Sequence, residues 1–169
     1  MNRDQLRAVQ QPLKERYRRE PEAALVTLEA EGSVEGEGVT CSVRTGRALV
    51  EAGLHPASGG PGTFACSGDL LLQALVACAG VTLRSVATSL EIGVSGTVRA
   101  EGDLDFRGTL GVDPDAPVGF RAIRLVFDLE HDADEELLAT LMRLTERYCV
   151  VYRTLVGGVP VEVSANSRR

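Results

Sequence analysis

Apolar residues recur at three different spacings along the chain, and the spacings divide it into segments. Between residues 4 and 20 (DQLRAVQQPLKERYRRE), Leu6, Val9, Leu13 and Tyr17 return every three to four positions, which predicts a helix with one narrow apolar stripe. The rest of that segment is charged, so the helix belongs on the surface, with a kink expected at Pro12. From Ala24 to Ala52 the period changes to short alternating runs, LVTLEAEGSV, VTCSVRTG and RALVEAG, separated by glycines. Alternation punctuated by glycine predicts antiparallel strands in a meander.

A Gly/Pro/Ser-rich segment, His55–Gly68, predicts a loop. The stretch Leu70–Leu83 (LLLQALVACAGVTL) is then apolar nearly all round, as expected of a central, buried helix. Ser67 is its expected N-cap, Asp69 lies in its first turn, and Gly93 is its expected stop. Val94–Leu104 and Ala122–Glu130 predict longer strands, joined by the Gly/Pro/Asp-rich connection RGTLGVDPDAPVG. Asp132 or Asp134 is then positioned to cap a helix whose Leu137, Leu138, Leu141 and Leu144 fit a period of 3.6. A short helix around Cys149–Leu155 and a final strand, Val159–Val163, complete the pattern. Strands grouped at both ends around central helices predict an α+β fold, not alternating βαβ units. The division expected is an N-terminal helical extension, residues 1–22, and a single domain, residues 23–169.

Composition narrows the function classes. The 169 residues carry a net charge of −6, so there is no basic footprint for nucleic acid or an anionic membrane. Leu70–Leu83 is shorter than the ~20 residues that span a bilayer, and no apolar signal core opens the chain. A cytoplasmic location is expected, with Cys41, Cys66, Cys78 and Cys149 reduced at rest, because no CxxC pairing or secretion signal accompanies them.

Two cysteines stand out. Cys78 sits inside the apolar helix and Cys149 in the run ERYCVVYRTL. Each is either a small core residue or one half of a redox pair brought together by folding. Cys78 lies too deep in its helix to gain from that helix's dipole, so activation requires a cation from elsewhere. Cys149, at a break between helices with Arg153 four residues on, is placed where a helix N-terminus favours thiolate. Gly59–Gly62 (GGPG) lacks the Lys and Ser/Thr of a phosphate loop. The acidic residues after His131 suit a helix start better than a metal site. No GxSxG elbow appears, and no cofactor or metal is expected.

The run SGDLLLQALVACAGVTL (67–83) resembles the central-helix motif of the OsmC/Ohr family of osmotically inducible and organic-hydroperoxide-resistance proteins, and ERYCVVYRTL followed by GVPVEV (146–163) resembles its second-cysteine segment and last strand. The resemblance covers roughly residues 24–165. It implies an OsmC-like fold, antiparallel sheets around two central helices in an intertwined homodimer, with sites at the subunit interface. It implies that Cys78 is a peroxidatic nucleophile and Cys149 its resolving thiol, reducing organic hydroperoxides and reset by an external dithiol. The alternative within the same fold is non-catalytic binding of a small apolar or electrophilic molecule. Members of the peroxidase branches pair a glutamate near the start of the helix with a thiolate-supporting arginine. Here that glutamate position is Gly68, the nearest carboxylate is Asp69, and the nearest arginines are Arg44 and Arg47 in VRTGR. His55 occupies a loop where some members carry charge, and the proline that usually follows the second cysteine is Val150.

Overall fold

The computed structural model describes the chain except residues 1, 21–22, 24, 26–30, 34–39, 46–47, 112 and 167–169, and gives only the backbone for residues 9, 17, 31–33, 40–45 and 48–49. Helix α1 runs Arg3–Arg19 and continues through Pro12. Its N-terminus is closed by a capping box in which Asn2 and Gln5 each bond the other's backbone N–H, satisfying two donors that helix geometry leaves free. Strands β1 (Glu31–Ser33), β2 (Thr40–Thr45) and β3 (Ala48–Gly53) form the predicted antiparallel meander in that order. Helix α2 spans Ser67–Leu90. Strands β4 (Val94–Leu104) and β5 (Phe120–His131) pair antiparallel along their whole length. The four-residue helix α3 (Phe106–Thr109) lies between them; α4 covers Glu135–Tyr148 and α5 Val150–Gly157.

The β4–β5 ribbon has two unlike faces because side chains alternate along a strand. Arg99, Glu101, Asp103, Arg124 and Asp128 share the solvent face, where Arg124 bonds both Glu101 and Asp103 and Arg99 pairs with Asp128. The opposite face presents Phe127 and Leu129 to the core formed by Leu83, Val86, Ala87 and Ile92 with Leu141 of α4. Helix α2 therefore has β4, α4 and α5 as neighbours along its length. Helix α2 is long and apolar enough to cross a bilayer, and it packs against β4, α4 and α5 along one side.

Several local expectations change. Cys66, not Ser67, is the N-cap of α2, and it makes no side-chain capping bond. The helix ends not at Gly93 but at Glu91, which takes the left-handed conformation at φ 60° and is held by an ion pair with Arg3 of α1 at 2.5 Å. Gly93 has another use: its N–H donates to Asp132 at 2.8 Å, and a Cβ there would sit 2.8 Å from the same carboxylate. With Asp132 so engaged, Asp134 caps α4 by accepting from Leu137 N–H at 2.8 Å. Burial of α2 is one-sided, since Leu75, Ala79, Leu83, Val86 and Ala87 are buried while Val81 is 72% exposed. The expected last strand is absent: residues 159–166 have no regular structure, and Val159, Val161 and Val163 are exposed. A strand needs a neighbour to satisfy its backbone, and this segment has none among the described residues.

Candidate functional site

Cys78 and Cys149 meet where α2, α4 and α5 converge. Leu75, Cys78, Ala79 and Thr82 lie on one face of α2 by their three- and four-residue spacing. Cys149 ends α4 and begins α5: its extended backbone, φ −72° and ψ 109°, breaks the helix between them. Its N–H still reaches Thr145 C=O at 2.9 Å, and its own C=O accepts from Arg153 N–H at 2.9 Å. The break is thus tied to both helices. Cys149 is 1% exposed, whereas Cys78 is half-buried. Both thiols are free, and they lie near enough that each shifts the titration of the other.

The pair is electrostatically unequal. Burial acts to raise the Cys78 thiol, but donation from the Val151 N–H, the Cys149 thiol and the Val150 N–H outweighs it and holds Cys78 below the ordinary thiol range. Thr82 adds less, because its single hydroxyl hydrogen is already directed to Cys78 C=O at 2.8 Å. Cys149 moves the other way: burial pushes it up first, and the neighbouring Cys78 adds to the rise. A thiolate on Cys78 beside a protonated Cys149 is therefore the favoured arrangement.

This inverts one expectation from the sequence. The helix N-terminus at the ERYCVV break acts on both thiols, but burial outweighs the Tyr152 and Val151 N–H groups at Cys149, and the net lowering falls on Cys78 from across the fold. Arg153 is exposed on α5 and is not among the groups acting on either thiol. Asp69 lies elsewhere, beside Leu72, Gln73, Val76, Ala77 and Ala100, as nine residues of helix rotation require. Only the backbone of Arg44 is described, paired in register with Leu49 and Glu31, and Arg47 lies outside the described residues. His55 caps a short 3-10 turn through Nδ1 and stacks on Phe106 at 4.9 Å. Among the described residues no three His, Cys, Asp or Glu side chains converge to hold a metal. The donors missed by sequence reasoning are backbone N–H groups, which carry no residue signature; the break at Cys149 was their only trace.

One turn from Cys78, Leu75 joins Phe120, Phe127, Met142, Tyr152 and Leu155 around an open, largely apolar groove of about 530 Å³. The sequence model of the OsmC-like protein family matches residues 60–164, a span that includes both cysteines. The chain belongs to the OsmC-like family. Solved structures carry the same fold. An OsmC-like protein from Mycoplasma pneumoniae aligns with TM-score 0.64 at 16% identity, covering 79% of this chain and 89% of its own. An organic hydroperoxide resistance protein OsmC from Legionella pneumophila aligns at 0.57 and 18%, covering 79% and 92%. The organic hydroperoxide resistance protein OhrB of Bacillus subtilis aligns at 0.53 and 20%, covering 80% and 94%. No curated protein sequence matches the chain. At these identities the likeness is one of fold.

Proposed function

We propose that this OsmC-like protein is a thiol-dependent peroxidase acting on organic hydroperoxides. The observation that carries the reading is the contact between a half-buried Cys78 held toward thiolate and a buried Cys149 held toward thiol. The Cys78 thiolate attacks the terminal oxygen of ROOH; the O–O bond breaks, RO⁻ takes a proton and leaves as alcohol, and Cys78 becomes a sulfenic acid. Cys149 gives up its proton and attacks the Cys78 sulfur, forming the disulfide and releasing water. An external dithiol restores both thiols by exchange. The apolar groove beside Leu75 suits a bulky organic R group better than hydrogen peroxide. Relatives in the fold are named for organic hydroperoxide resistance, which agrees with this assignment. The protein works in the cytoplasm as a homodimer, the second copy covering the exposed apolar positions Val81, Val161 and Val163.

Stopped-flow oxidation of the reduced protein by cumene hydroperoxide, with intact mass before and after, tests this reading. The expected result is rapid loss of two thiols as one intramolecular disulfide. Cys149→Ser halts at the sulfenic acid and Cys78→Ser is inert. Oxidation no faster than that of a free thiol, and indifferent to both substitutions, would sink the peroxidase and leave a protein that uses the groove to bind a small apolar or electrophilic molecule without turnover.

A further inference from the structure

Helix α1 turns a basic face toward the rest of the domain. Arg3, Arg7, Gln10 and Lys14 follow one another at intervals of four, three and four residues, so they share one side of the helix. With Ser89 of α2 they enclose a groove of about 240 Å³, and among the described residues no acidic side chain lines it. Arg3 is neutralised by Glu91 at 2.5 Å, a contact that ties α1 to the end of α2. Among the described residues Arg7 and Lys14 enter no ion pair. Gln10, Lys14 and Ser89 also line a second space, of about 530 Å³, between α1, α2 and α4. Its other walls include Val86 and Leu90 of α2 and Leu144 and Tyr148 of α4, with Val81, 72% exposed, at its mouth. The two spaces form one cleft, basic at one end and apolar at the other. It has no lining residue in common with the groove beside Leu75.

The hydrogen bonds already made at the basic end define what can bind there. The Ser89 hydroxyl donates to Ser85 C=O at 3.0 Å, and the Gln11 amide donates to Glu15 at 2.9 Å. Arg7, Lys14 and the Gln10 amide are left as donors, so the polar part of a ligand must accept hydrogen bonds and carry negative charge. Seven residues of helix set Arg7 and Lys14 about 10 Å apart along the axis, within reach of two long side chains closing on one group beside Gln10. A phosphate monoester carries roughly −1.5 to −2 charge at neutral pH and three acceptor oxygens, which matches two cations more closely than a carboxylate does. We propose that the cleft between α1, α2 and α4 binds a single-chain phosphate monoester. Arg7 and Lys14 hold its phosphate, and its apolar chain lies along Val86, Leu90, Leu144 and Tyr148. The site is separate from the two thiols and does not rest on the peroxidase reading.

Calorimetric titration of the full reduced chain with octyl phosphate, below its micelle concentration, tests the site. One equivalent should bind per chain. Octanol and inorganic phosphate, each lacking one half of the molecule, should bind at least about tenfold more weakly. Lys14→Glu should weaken octyl phosphate by about tenfold or more. Arg16→Glu, the same charge change on the opposite face of α1, should track wild type. Failure of the wild-type protein to bind octyl phosphate would overturn the proposal and leave the cleft to the second copy. Equal binding of octanol or inorganic phosphate, unchanged affinity in Lys14→Glu, or an equal loss in Arg16→Glu would overturn it as well. Should Lys14→Glu not fold, amide resonances of the wild-type protein decide the matter. Octyl phosphate should perturb Gln10, Lys14, Ser89 and Leu144; perturbations confined to Leu75, Phe120 and Leu155 would place it in the other groove and overturn the assignment.

Discussion

At the scale of single residues, the useful contrast is between two cysteines that share one contact and titrate in opposite directions. Their shifts give a signed pH dependence for the stability of the reduced protein. Between the depressed folded value of Cys78 and the ordinary thiol value near ~8.5, the folded state has already lost a proton that the unfolded chain retains. Stability therefore rises with pH through that window, and it is lost as pH falls through the folded value. Cys149 is raised, so its contribution is present below the ordinary thiol value and fades as pH rises through its folded value. Thermal midpoints measured against pH should show the first rise in wild type and lose it in Cys78→Ser. Thr82 provides a second contrast. Because its hydroxyl donates to a carbonyl at 2.8 Å, Thr82→Val should leave the pH midpoint of Cys78 alkylation by iodoacetamide close to wild type; a large upward move would make Thr82 a main support of the thiolate.

At the scale of elements, helices and strands follow local rules except where they meet. The Asp134 cap obeys the preference for a short acidic side chain before a helix, and Asp134→Ala should cost about 1 kcal/mol of stability, read as a lower denaturant midpoint at unchanged slope. Gly96 in β4 has φ +129°, and a Cβ there would lie 2.0 Å from Asp128 C=O on the paired strand. Gly96→Ala should therefore destabilise the β4–β5 ribbon by about 1–3 kcal/mol through backbone strain, visible in the same titration. Two expectations failed at the ends of α2: Cys66 and not Ser67 is its N-cap, and Glu91 and not Gly93 is its stop. Glu91 takes a conformation that glycine ordinarily fills, its N–H donating back to the Ala87 and Thr88 carbonyls, and Asp132, just past β5, holds Gly93.

At the scale of the whole molecule, an apolar helix with one open face and an extended tail with exposed valines call for a partner surface. Sedimentation should give twice the chain mass, and Val81→Asp should shift the protein toward the monomer; a monomeric wild type would remove the second copy from the proposed function. The sequence by itself determined the order and kind of the main helices and strands as far as α5, because periods of 2 and 3.6 report which side of each segment is buried. It also determined, through the two cysteine motifs, the family to which the chain belongs. It could not determine which thiol is held low and which is held high. That depends on how α5 is set against α2, some seventy positions away in the chain, and on N–H groups common to every residue but proline. Burial is likewise a property of the packed fold: local sequence left both cysteines equally plausible as core residues, and only the packing of α2, α4 and α5 made one accessible and the other enclosed.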